Sequence, residues 1–591
     1  MTDVFKFKLL AIGFAALAAS AANGMTVVLT PSASSPAPVG TVVKFSAAVP
    51  DAPSPNLWYR FRVRRPGEEY QIIRDYGAAN ALDWTAATHE GVYEMEVSAR
   101  DLDTGDESSI SSLFQFLSLV PASGQPVVSP TANSLVFLYS APACAGGARM
   151  RVQFQLSDGA VQNTPFQPCT PRLSMNFYLA GLRANSTYTA HHVIDTGSAF
   201  VTGPEVTFGT GDLPNNLYTD AIVVPSQNPS SSDSILLGGP LGANPVANDL
   251  AGNVLWYGPA GITFLTRVGA GGEFWGIVES PGSDPSQQIV RKFDLTGMTL
   301  LETNAARVNE QLKALGKRPI TGFHHEARPI AGGRVAVLAG VEQILTDVQG
   351  QGPVDVLGDM IVVLDRELNV VWTWDAFDNL DVHRAALLGE VCPNSGCPAY
   401  YLAPSANDWT HGNAIQETAD GNLLYSTRNQ DWLIKISYDG GNGDAHIIWR
   451  LGQDGDFQIN SSDAYPWFSH QHDGNFETAD PTRIMVFDDG NTRVAAMRGG
   501  NSRGQVLQID EQNRTVTPIL NADLGVYSIA VGSAQRLRDG NYHFDAGFVV
   551  ENGTTDSYSF EVDAASQIKY EAHQNVILYR TFRISDMYTP N

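Results

Sequence analysis

Three histidines in the C-terminal two-thirds of the chain stand in the same local pattern. His325, His411 and His472 are each followed, after seven to ten residues, by a glycine or an aspartate and then by an apolar segment. Imidazole can act as a nucleophile, as a general acid or base, or as a metal ligand. Because the chain has 12 histidines in all, three at one phase of a repeated pattern indicate a shared functional site. The neighbouring His324 and His470 are predicted to be packing or hydrogen-bonding residues.

Arg428 and Asn413 are predicted to add hydrogen-bond donors beside His411. Arg428 lies in the strand expected to return from the turn after His411, so the two side chains can meet across one hairpin. Asn413 follows His411 by two residues and is expected on the same strand face. A planar guanidinium beside imidazoles suits an oxyanion, because its fixed donors match paired oxygens. Ser502 is a further candidate donor, with a simple turn as an equal alternative.

The elements that must position these residues repeat along the chain. After Leu213, an apolar strand, an aspartate, a turn and a second apolar strand recur six times. The aspartates of the repeats are Asp249, Asp294, Asp365, Asp439, Asp510 and Asp563. This pattern predicts one such hairpin in every four-stranded blade of a six-bladed β-propeller. Equivalent positions on successive blades share one height and radius, so the three histidines are expected at one mouth of the central channel.

The predicted fold class is all-β. Short apolar runs broken by Asp-Gly, Gly-Asn and proline recur throughout, and the chain contains 55 glycines. Residues 25–119 are predicted to form an immunoglobulin-like β-sandwich and residues 124–210 a fibronectin III-like β-sandwich. The propeller is predicted to span residues 214–591.

The N-terminus predicts export. Residues 1–21 combine two lysines, an apolar run and a small-residue cleavage site, as a secretory signal peptide does. No later segment reaches the roughly 20 apolar residues of a membrane-spanning helix, so we expect a periplasmic or secreted protein without membrane insertion. The net charge of −25 argues against nucleic acid as a partner.

The four cysteines fall into two sequence-local pairs. Cys144 is paired with Cys169, and Cys392 with Cys397. An even number of cysteines in an exported chain predicts two disulfides. A metal cage is less well supported, since neither pair has a histidine at zinc-finger spacing.

The motifs around the histidines resemble the bacterial arylsulfate sulfotransferase family. They are Phe323-His324-His325-Glu326, Asp408-Trp409-Thr410-His411-Gly412-Asn413 with Ser426-Thr427-Arg428-Asn429, and Gln471-His472-Asp473 with Phe487-Asp488-Asp489-Gly490. The resemblance covers the C-terminal two-thirds and implies a β-sandwich followed by a six-bladed propeller. It also implies an enzyme with an aryl sulfate donor and a phenolic acceptor, without a nucleotide or other cofactor, and is compatible with a homodimer.

The same resemblance implies roles for the site residues. His472 inherits the nucleophile that accepts the sulfuryl group covalently, with ping-pong kinetics as the consequence. His325, His411 and Arg428, with Asn413, are expected to bind and neutralise the sulfuryl oxygens. The aromatic residues before His472, which are Tyr465, Trp467 and Phe468, are predicted to stack on an aryl substrate, with core packing as an equal alternative. The Cys392–Cys397 loop is expected to shape the channel rim.

Two other classes of function remain open on the sequence. The three histidines can be the ligands of a metal-dependent hydrolase or oxidoreductase. Arg428 argues against this hypothesis, because a guanidinium repels a cation. A non-enzymatic binding or adhesion propeller is equally compatible with export and negative charge, but it gives no reason for histidines at one phase of the repeat.

Overall fold

The fold is nearly all-β. The computed structural model describes residues 25–157, 159–227, 232–278, 288–394 and 396–590. These residues contain 44 β-strands and three short α-helices, which confirms the predicted fold class. Within them, no helix has the length and apolar character needed to cross a membrane. The predicted signal peptide, residues 1–21, lies outside the described residues.

The first group of strands forms two facing sheets. The strands are β1 (Val28–Pro31), β2 (Ala37–Pro38), β3 (Val43–Ala48), β4 (Leu57–Arg64), β5 (Gln71–Gly77), β6 (Ala81–Trp84), β7 (Gly91–Asp101) and β8 (Glu107–Leu117). One sheet has the order β1-β3-β6 and the other β2-β8-β7-β4-β5. Along β3, Val43, Phe45 and Ala47 are buried and alternate with more exposed residues, because successive side chains point to opposite faces.

The second group of strands also forms two sheets. The strands are β9 (Val127–Pro130), β10 (Phe137–Ala141), β11 (Arg149–Leu156), β12 (Gln162–Asn163), β13 (Gln167–Pro168), β14 (Met175–Leu179), β15 (Thr187–Asp195), β16 (Phe200–Thr202) and β17 (Val206–Gly209). The order β14-β10-β9 faces β12-β11-β15-β16, with β13 and β17 at the edges. The Cys144–Cys169 disulfide lies in this group, as predicted.

The remaining strands span Asp220 to Ile584. They are β18 (Asp220–Val224), β19 (Ile235–Pro240), β20 (Val246–Asp249), β21 (Val254–Tyr257), β22 (Phe264–Gly269), β23 (Glu273–Val278), β24 (Ile289–Phe293), β25 (Thr299–Asn304), β26 (Gly322–Ile330), β27 (Arg334–Thr346), β28 (Pro353–Leu364), β29 (Val370–Asp375), β30 (Asn407–Asp408), β31 (Gly412–Glu417), β32 (Leu423–Thr427), β33 (Trp432–Ile436), β34 (Ile447–Gly452), β35 (Gln458–Ile459), β36 (His472–Glu477), β37 (Asp480–Asp488), β38 (Arg503–Asp510), β39 (Thr515–Asp523), β40 (Gly532–Arg536), β41 (Tyr542–Glu551), β42 (Thr554–Val562), β43 (Ile568–Gln574) and β44 (Leu578–Ile584). The helices are α1 (Ala305–Ala314), α2 (Ala376–Asn379) and α3 (Asn491–Met497).

These strands form six antiparallel sheets of four main strands each. The orders are β44-β19-β20-β21, β22-β23-β24-β25, β26-β27-β28-β29, β31-β32-β33-β34, β36-β37-β38-β39 and β40-β41-β42-β43. We call β22, β26, β31, β36, β40 and β44 the inner strands. Each inner strand contacts the next in this order, and β44 also contacts β22. The four-stranded repeat is thereby confirmed, whereas the closed six-bladed propeller stays a prediction.

Successive sheets stack face to face. In β27, Val335, Val337 and Ala339 pack in a core shared with β22–β24, whereas Ala336 and Leu338 pack in a core shared with β31 and β32. Both faces of the sheet are therefore buried, which explains why its strands read as continuous apolar runs in the sequence.

The repeated aspartates mark equivalent turns. All six end the third strand of a sheet, in the orders given above, or lie between its third and fourth strands. In Asp365, for example, Oδ1 accepts hydrogen bonds from the main-chain N–H groups of Glu367 at 2.9 Å and Asn369 at 2.8 Å. A carboxylate bound to the backbone a few residues ahead stabilises a tight turn. Asp439 differs, because it opens a 3₁₀ turn with a positive φ of 43°.

Candidate active site

The three predicted histidines lie at the inner strands of three consecutive sheets. His325 is in β26, His411 immediately precedes β31, and His472 begins β36. Strand pairing is irregular next to each of them, and His325 and His411 have positive φ values of 57° and 50°. Such irregularities turn side chains away from the regular alternation of a strand and are frequent beside active sites.

The three rings form one buried cluster. The ring centroids of His325 and His411 are 5.0 Å apart. Burial lowers the pKa of His325, and the charges of His411, His324 and His472 lower it further. The inner strands next to His411 and His472, β31 and β36, are in contact. His325 and His411 are each 6% exposed and His472 1%. We call this group the histidine cluster.

Carboxylates orient two of the rings. Nδ1 of His411 is 2.6 Å from Oδ2 of Asp408, and Nδ1 of His472 is 2.6 Å from Oδ2 of Asp489. A carboxylate that accepts the Nδ1 proton leaves the Nε2 lone pair free. Both histidines therefore have a partner that can hold the tautomer a nucleophile or base requires.

His325 is oriented by a second imidazole instead. Its Nδ1 is 2.9 Å from Nδ1 of His324, whose Nε2 is 3.1 Å from Oδ1 of Asp359. Burial raises the pKa of Asp359, but the contact with His324 and the hydrogen bonds from Thr410 and Tyr425 together outweigh burial, so this pKa lies below its ordinary value. The ionised carboxylate also accepts hydrogen bonds from the hydroxyl of Thr410 and the N–H of Gly412, both at 2.6 Å. The hydrogen-bonding role predicted for His324 is confirmed.

Arg428 lies opposite His411 across the hairpin of β31 and β32. Gly412 pairs with Thr427, and the Arg428 N–H donates to the His411 carbonyl at 3.3 Å. The guanidinium donates to Oδ1 of Asn429 at 2.9 Å and to the carbonyl of Ile529 at 3.2 Å. Its Nε is buried without a partner among the described residues. A buried guanidinium N–H without an acceptor is a donor available to an oxyanion.

Electrostatics favour a neutral His472. Burial lowers its pKa well below the ordinary value, and the charges of Arg428, His411 and Arg580 lower it further. Burial also raises the pKa of Asp489, an effect that the charge of Arg428 opposes. An uncharged imidazole keeps a lone pair at neutral pH and can attack an electrophile.

The other predicted residues lie around the cluster. The side-chain amide of Asn413 donates to the carbonyl of Gln471 at 2.7 Å and so fixes the backbone immediately before His472. The hydroxyl of Ser502 donates to the Asp489 carbonyl at 2.9 Å and accepts from the Ser528 N–H at 2.9 Å. Direct contact of either residue with a substrate stays a prediction.

The three aromatic residues predicted to stack on a substrate differ in burial, and Tyr465 is exposed. Phe468 is 1% exposed and belongs to a core between β33–β34 and β36–β39. Trp467 is half-buried at the edge of that core. The core packing of Phe468 matches the alternative that the sequence left open, and a stacking role stays a prediction for all three.

Several residues of the site were not assigned a role from the sequence. They are Asp359, Asp408, Asp489, Tyr527 and Arg580. Tyr527 is half-buried. Burial raises the pKa of its hydroxyl, the charge of Asp489 raises it further, and the charge of Arg428 lowers it. Asp408 and Asp489 lie within the motifs around His411 and His472. Asp489 follows His472 by 17 residues, as Arg428 follows His411, so hairpin geometry could have found its contact, whereas the spacing of three residues between Asp408 and His411 gives no such sign.

His470 ties the disulfide loop to the strand of His472. Its Nε2 bonds to a carboxylate oxygen of Glu390, and its Nδ1 is 2.9 Å from Oδ1 of Asp431. Glu390 precedes the Cys392–Cys397 disulfide, which is formed as predicted. Burial and the charge of Arg428 lower the pKa of His470, but the hydrogen bonds to Asp431 and Glu390 outweigh them and raise it above the ordinary value.

The contacts of His470 with Glu390 and Asp431 are expected to weaken as the pH rises. A histidine whose folded pKa is raised stabilises the fold below its unfolded pKa of about 6.5 and loses that contribution as the pH passes the folded pKa. We expect cleavage by a protease near Glu390 to accelerate in alkaline buffer relative to pH 6. In His470→Gln cleavage should be fast at both pH values, whereas the exposed control His446→Gln should behave like the wild type. Equal pH dependence in all three proteins would contradict this role of His470.

The histidine cluster is not a compact metal-ligand set. Within the described residues, the group of side chains with ligand atoms close enough to share one ion is Cys392, Cys397 and Asp408. The two cysteines are joined in a disulfide and have no thiolate to offer. The donors around the histidine cluster, among them Arg428, suit an anion better than a cation.

The chain was compared with known protein families and curated proteins. The family model of Arylsulfotransferase (ASST) matches residues 230–580, more than half of the 591 residues. The chain belongs to the arylsulfotransferase family. This membership confirms the resemblance drawn from the histidine motifs and implies a sulfotransferase that acts on aryl sulfates and phenols. The comparison with curated proteins gave no match.

Two of the solved structures that are similar to this chain are of chicken proteins. The crystal structure of the selenomethionine-substituted chicken interferon gamma receptor alpha chain is 11% identical, with a TM-score of 0.13. The segment of two fibronectin type III domains from chicken tenascin is 14% identical, with a TM-score of 0.14. Each likeness covers 31% of this chain and 98% of the other. At such TM-scores neither carries a structural argument for the arylsulfotransferase.

Proposed function

We propose that this arylsulfotransferase moves a sulfuryl group from an aryl sulfate to a phenol through a covalent sulfohistidine at His472. The observation that carries the proposal is the meeting of His325, His411 and His472 with Arg428 at one buried place. His472 has a carboxylate partner in Asp489, and burial lowers its pKa. Arg428 supplies a free donor for an oxyanion. A nucleophile that attacks sulfur requires these features.

The reaction has two balanced steps. In the first, the Nε2 lone pair of His472 forms a bond to sulfur, and the bond between sulfur and the aryl oxygen breaks with its electron pair leaving on that oxygen. In the second, the oxygen of an acceptor phenol bonds to sulfur, and the N–S bond returns its electron pair to Nε2. Arg428 stabilises the negative charge on the sulfuryl oxygens in both transition states.

His411 is the better candidate for proton transfer. The departing phenolate needs a proton, and the acceptor phenol must lose one. Nδ1 of His411 contacts the carboxylate of Asp408, which can hold the charge of an imidazolium. Burial instead lowers the pKa of His325 well below its ordinary value. In the proposal His411 donates the proton and takes it back, while His325 binds a sulfuryl oxygen.

The fold has a defined part in the proposal. The six sheets are the blades of a closed six-bladed propeller at residues 214–591, which follows β-sandwich domains at residues 25–119 and 124–210. Contacts between successive inner strands, including β44 with β22, support the closure. Residues 1–21 act as a signal peptide for export to the periplasm or the medium. The two disulfides support an oxidising compartment.

The proposal is tested by a transfer assay without nucleotide. The protein is incubated with 4-nitrophenyl sulfate and phenol in the presence of a chelator, and nitrophenolate and phenyl sulfate are measured. We expect both products, with parallel double-reciprocal plots as the two substrates are varied, because the first product leaves before the acceptor reacts. Release that requires an added metal, or intersecting plots, would contradict the proposal.

Arg428→Lys is expected to lower kcat by about 100-fold with a smaller change in KM. Removal of one preorganised donor to a developing oxyanion costs about this much, and lysine cannot reproduce the planar fork of donors. The measurement is a steady-state comparison with Arg149→Lys, a change at an exposed arginine of the second sandwich. A loss confined to KM would show that Arg428 binds the ground state alone.

A further inference from the structure

A second charged cluster lies beside the histidine cluster on the inner strands. Arg267 of β22, Arg328 of β26 and Arg580 of β44 come together there with the carboxylates of Glu326 and Asp473. Nη1 of Arg580 is 2.8 Å from Glu326 Oε2 and 3.6 Å from Asp473 Oδ1. Nη2 of Arg267 is 3.1 Å from Asp473 Oδ1. Three guanidinium groups thus face two carboxylates, and one positive charge is left uncompensated.

Arg328 is the arginine without a counter-ion. In the described ranges of the chain it takes part in no ion pair or side-chain hydrogen bond, and its Nη1 is buried without a partner. The carboxylates of Glu326 and Asp473 are already bound by Arg580 and Arg267. Burial, helped by the charge of Arg267, lowers the pKa of Arg328 to about 9. A buried cation in this position gains from an anion supplied by the solvent.

Arg267 and Arg328 lie on inner strands that contact each other. The hydroxyl of Thr266 donates to the carbonyl of Ala327 at 2.9 Å, so Arg267 and Arg328 follow hydrogen-bonded residues on adjacent inner strands. Nε of Arg267 is buried without a partner among the described residues, as Nη1 of Arg328 is. Both residues are partly exposed, so a small solute can reach the accessible parts of the two guanidinium groups, and small side-chain shifts would open the buried donors to it.

We propose that Arg267 and Arg328 form a second anion site, separate from the histidine cluster, which binds a small inorganic oxyanion such as sulfate. Guanidinium groups match the paired oxygens of such ions better than they match a halide. Arg580 adds positive charge to the site, but its two terminal nitrogens are already bound to Glu326 and to the Asn413 carbonyl. Anion binding there requires neither a bond to His472 nor a step of sulfuryl transfer, although the charge of Arg580 also acts on His472.

The test locates the anion directly in crystals of the full chain. Crystals are soaked in selenate or in bromide, and the anomalous scattering of selenium or bromine marks bound ions. We expect a selenate peak between Arg267 and Arg328 that is lost in Arg328→Gln and kept in Arg428→Gln. Selenate at the histidine cluster alone, bromide without selenate at the second site, or a peak that persists in Arg328→Gln would overturn the proposal.

Titration with sodium sulfate in solution provides the second measurement. Arg428→Gln, which weakens the histidine cluster, isolates the second site, and adding Arg328→Gln to it should weaken the remaining binding at least tenfold. Because Arg328 has no partner to lose, Arg328→Gln should keep the melting temperature of the wild type in sulfate-free buffer. Unchanged sulfate binding in the double variant would overturn the proposal even if sulfuryl transfer is confirmed.

Discussion

His472→Asn is expected to abolish sulfuryl transfer, with a fall in kcat of at least about 1000-fold. Asparagine has no lone pair that can form the N–S bond, and in the proposal His411, which also has a carboxylate at Nδ1, transfers the proton instead. The side chain of His472 is 1% exposed, so the smaller asparagine leaves a cavity but adds no clash. The measurement is nitrophenolate release from 4-nitrophenyl sulfate with phenol as acceptor.

The control for this variant is His446→Asn. His446 is exposed, lies outside the histidine cluster, and also binds an aspartate through Nδ1, so the same substitution is made without touching the site. We expect His446→Asn to keep the activity of the wild type, and both variants to keep the circular dichroism spectrum. Transfer by His472→Asn at more than a few per cent of the wild-type rate would mean that another residue forms the bond to sulfur.

Asp489→Asn is expected to lower kcat by roughly 100- to 10000-fold while the fold is kept. The carboxylate accepts the Nδ1 proton of His472 and so leaves Nε2 free, whereas an amide can donate to Nδ1 and favour the tautomer with a proton on Nε2. A catalytic histidine whose aspartate partner is changed to asparagine loses activity on this scale in serine proteases, for the same reason. Steady-state kinetics and a melting curve provide the measurement.

The exposed pair of Asp444 and His446 supplies a matched control for Asp489→Asn. Their side chains form the same kind of hydrogen bond, from a carboxylate oxygen to Nδ1, at the surface. Asp444→Asn should leave kcat unchanged. A drop in melting temperature that accounts for the lost activity of Asp489→Asn would show that Asp489 stabilises the fold rather than the tautomer of His472.

The repeat was the part of the fold that the sequence predicted best. Asp365 and four of its five counterparts hold their own turns through hydrogen bonds to residues two to four positions ahead, so the signal is local and survives without knowledge of the tertiary structure. The shared position of His325, His411 and His472 in the repeated pattern also predicted correctly that they lie at inner strands. The extent of strand pairing was less accessible, since the parallel pairing of Arg74 in β5 with Glu302 in β25 joins segments 228 residues apart.

The supporting residues of the site were the part that the sequence predicted least well. His411 and Arg428 share a hairpin, and their proximity follows from strand geometry. Asp489 reaches His472 across the hairpin of β36 and β37, with the same spacing of 17 residues, so the same geometry could have found it. Arg580 reaches Glu326 from another sheet, across 254 residues. That contact depends on how sheets stack, which spacing in one sequence does not encode. Aromatic type alone likewise could not separate a core role from a stacking role for Phe468.

The covalent intermediate tests the account most directly. The wild type is mixed with excess 4-nitrophenyl sulfate without an acceptor, quenched at alkaline pH, and analysed by intact mass and peptide mapping. We predict a burst of one nitrophenolate per chain and the mass of one SO₃ group on the peptide that carries His472, both absent from His472→Asn. A burst without this modification, or a sulfuryl group on His325 or His411 instead, would contradict the account.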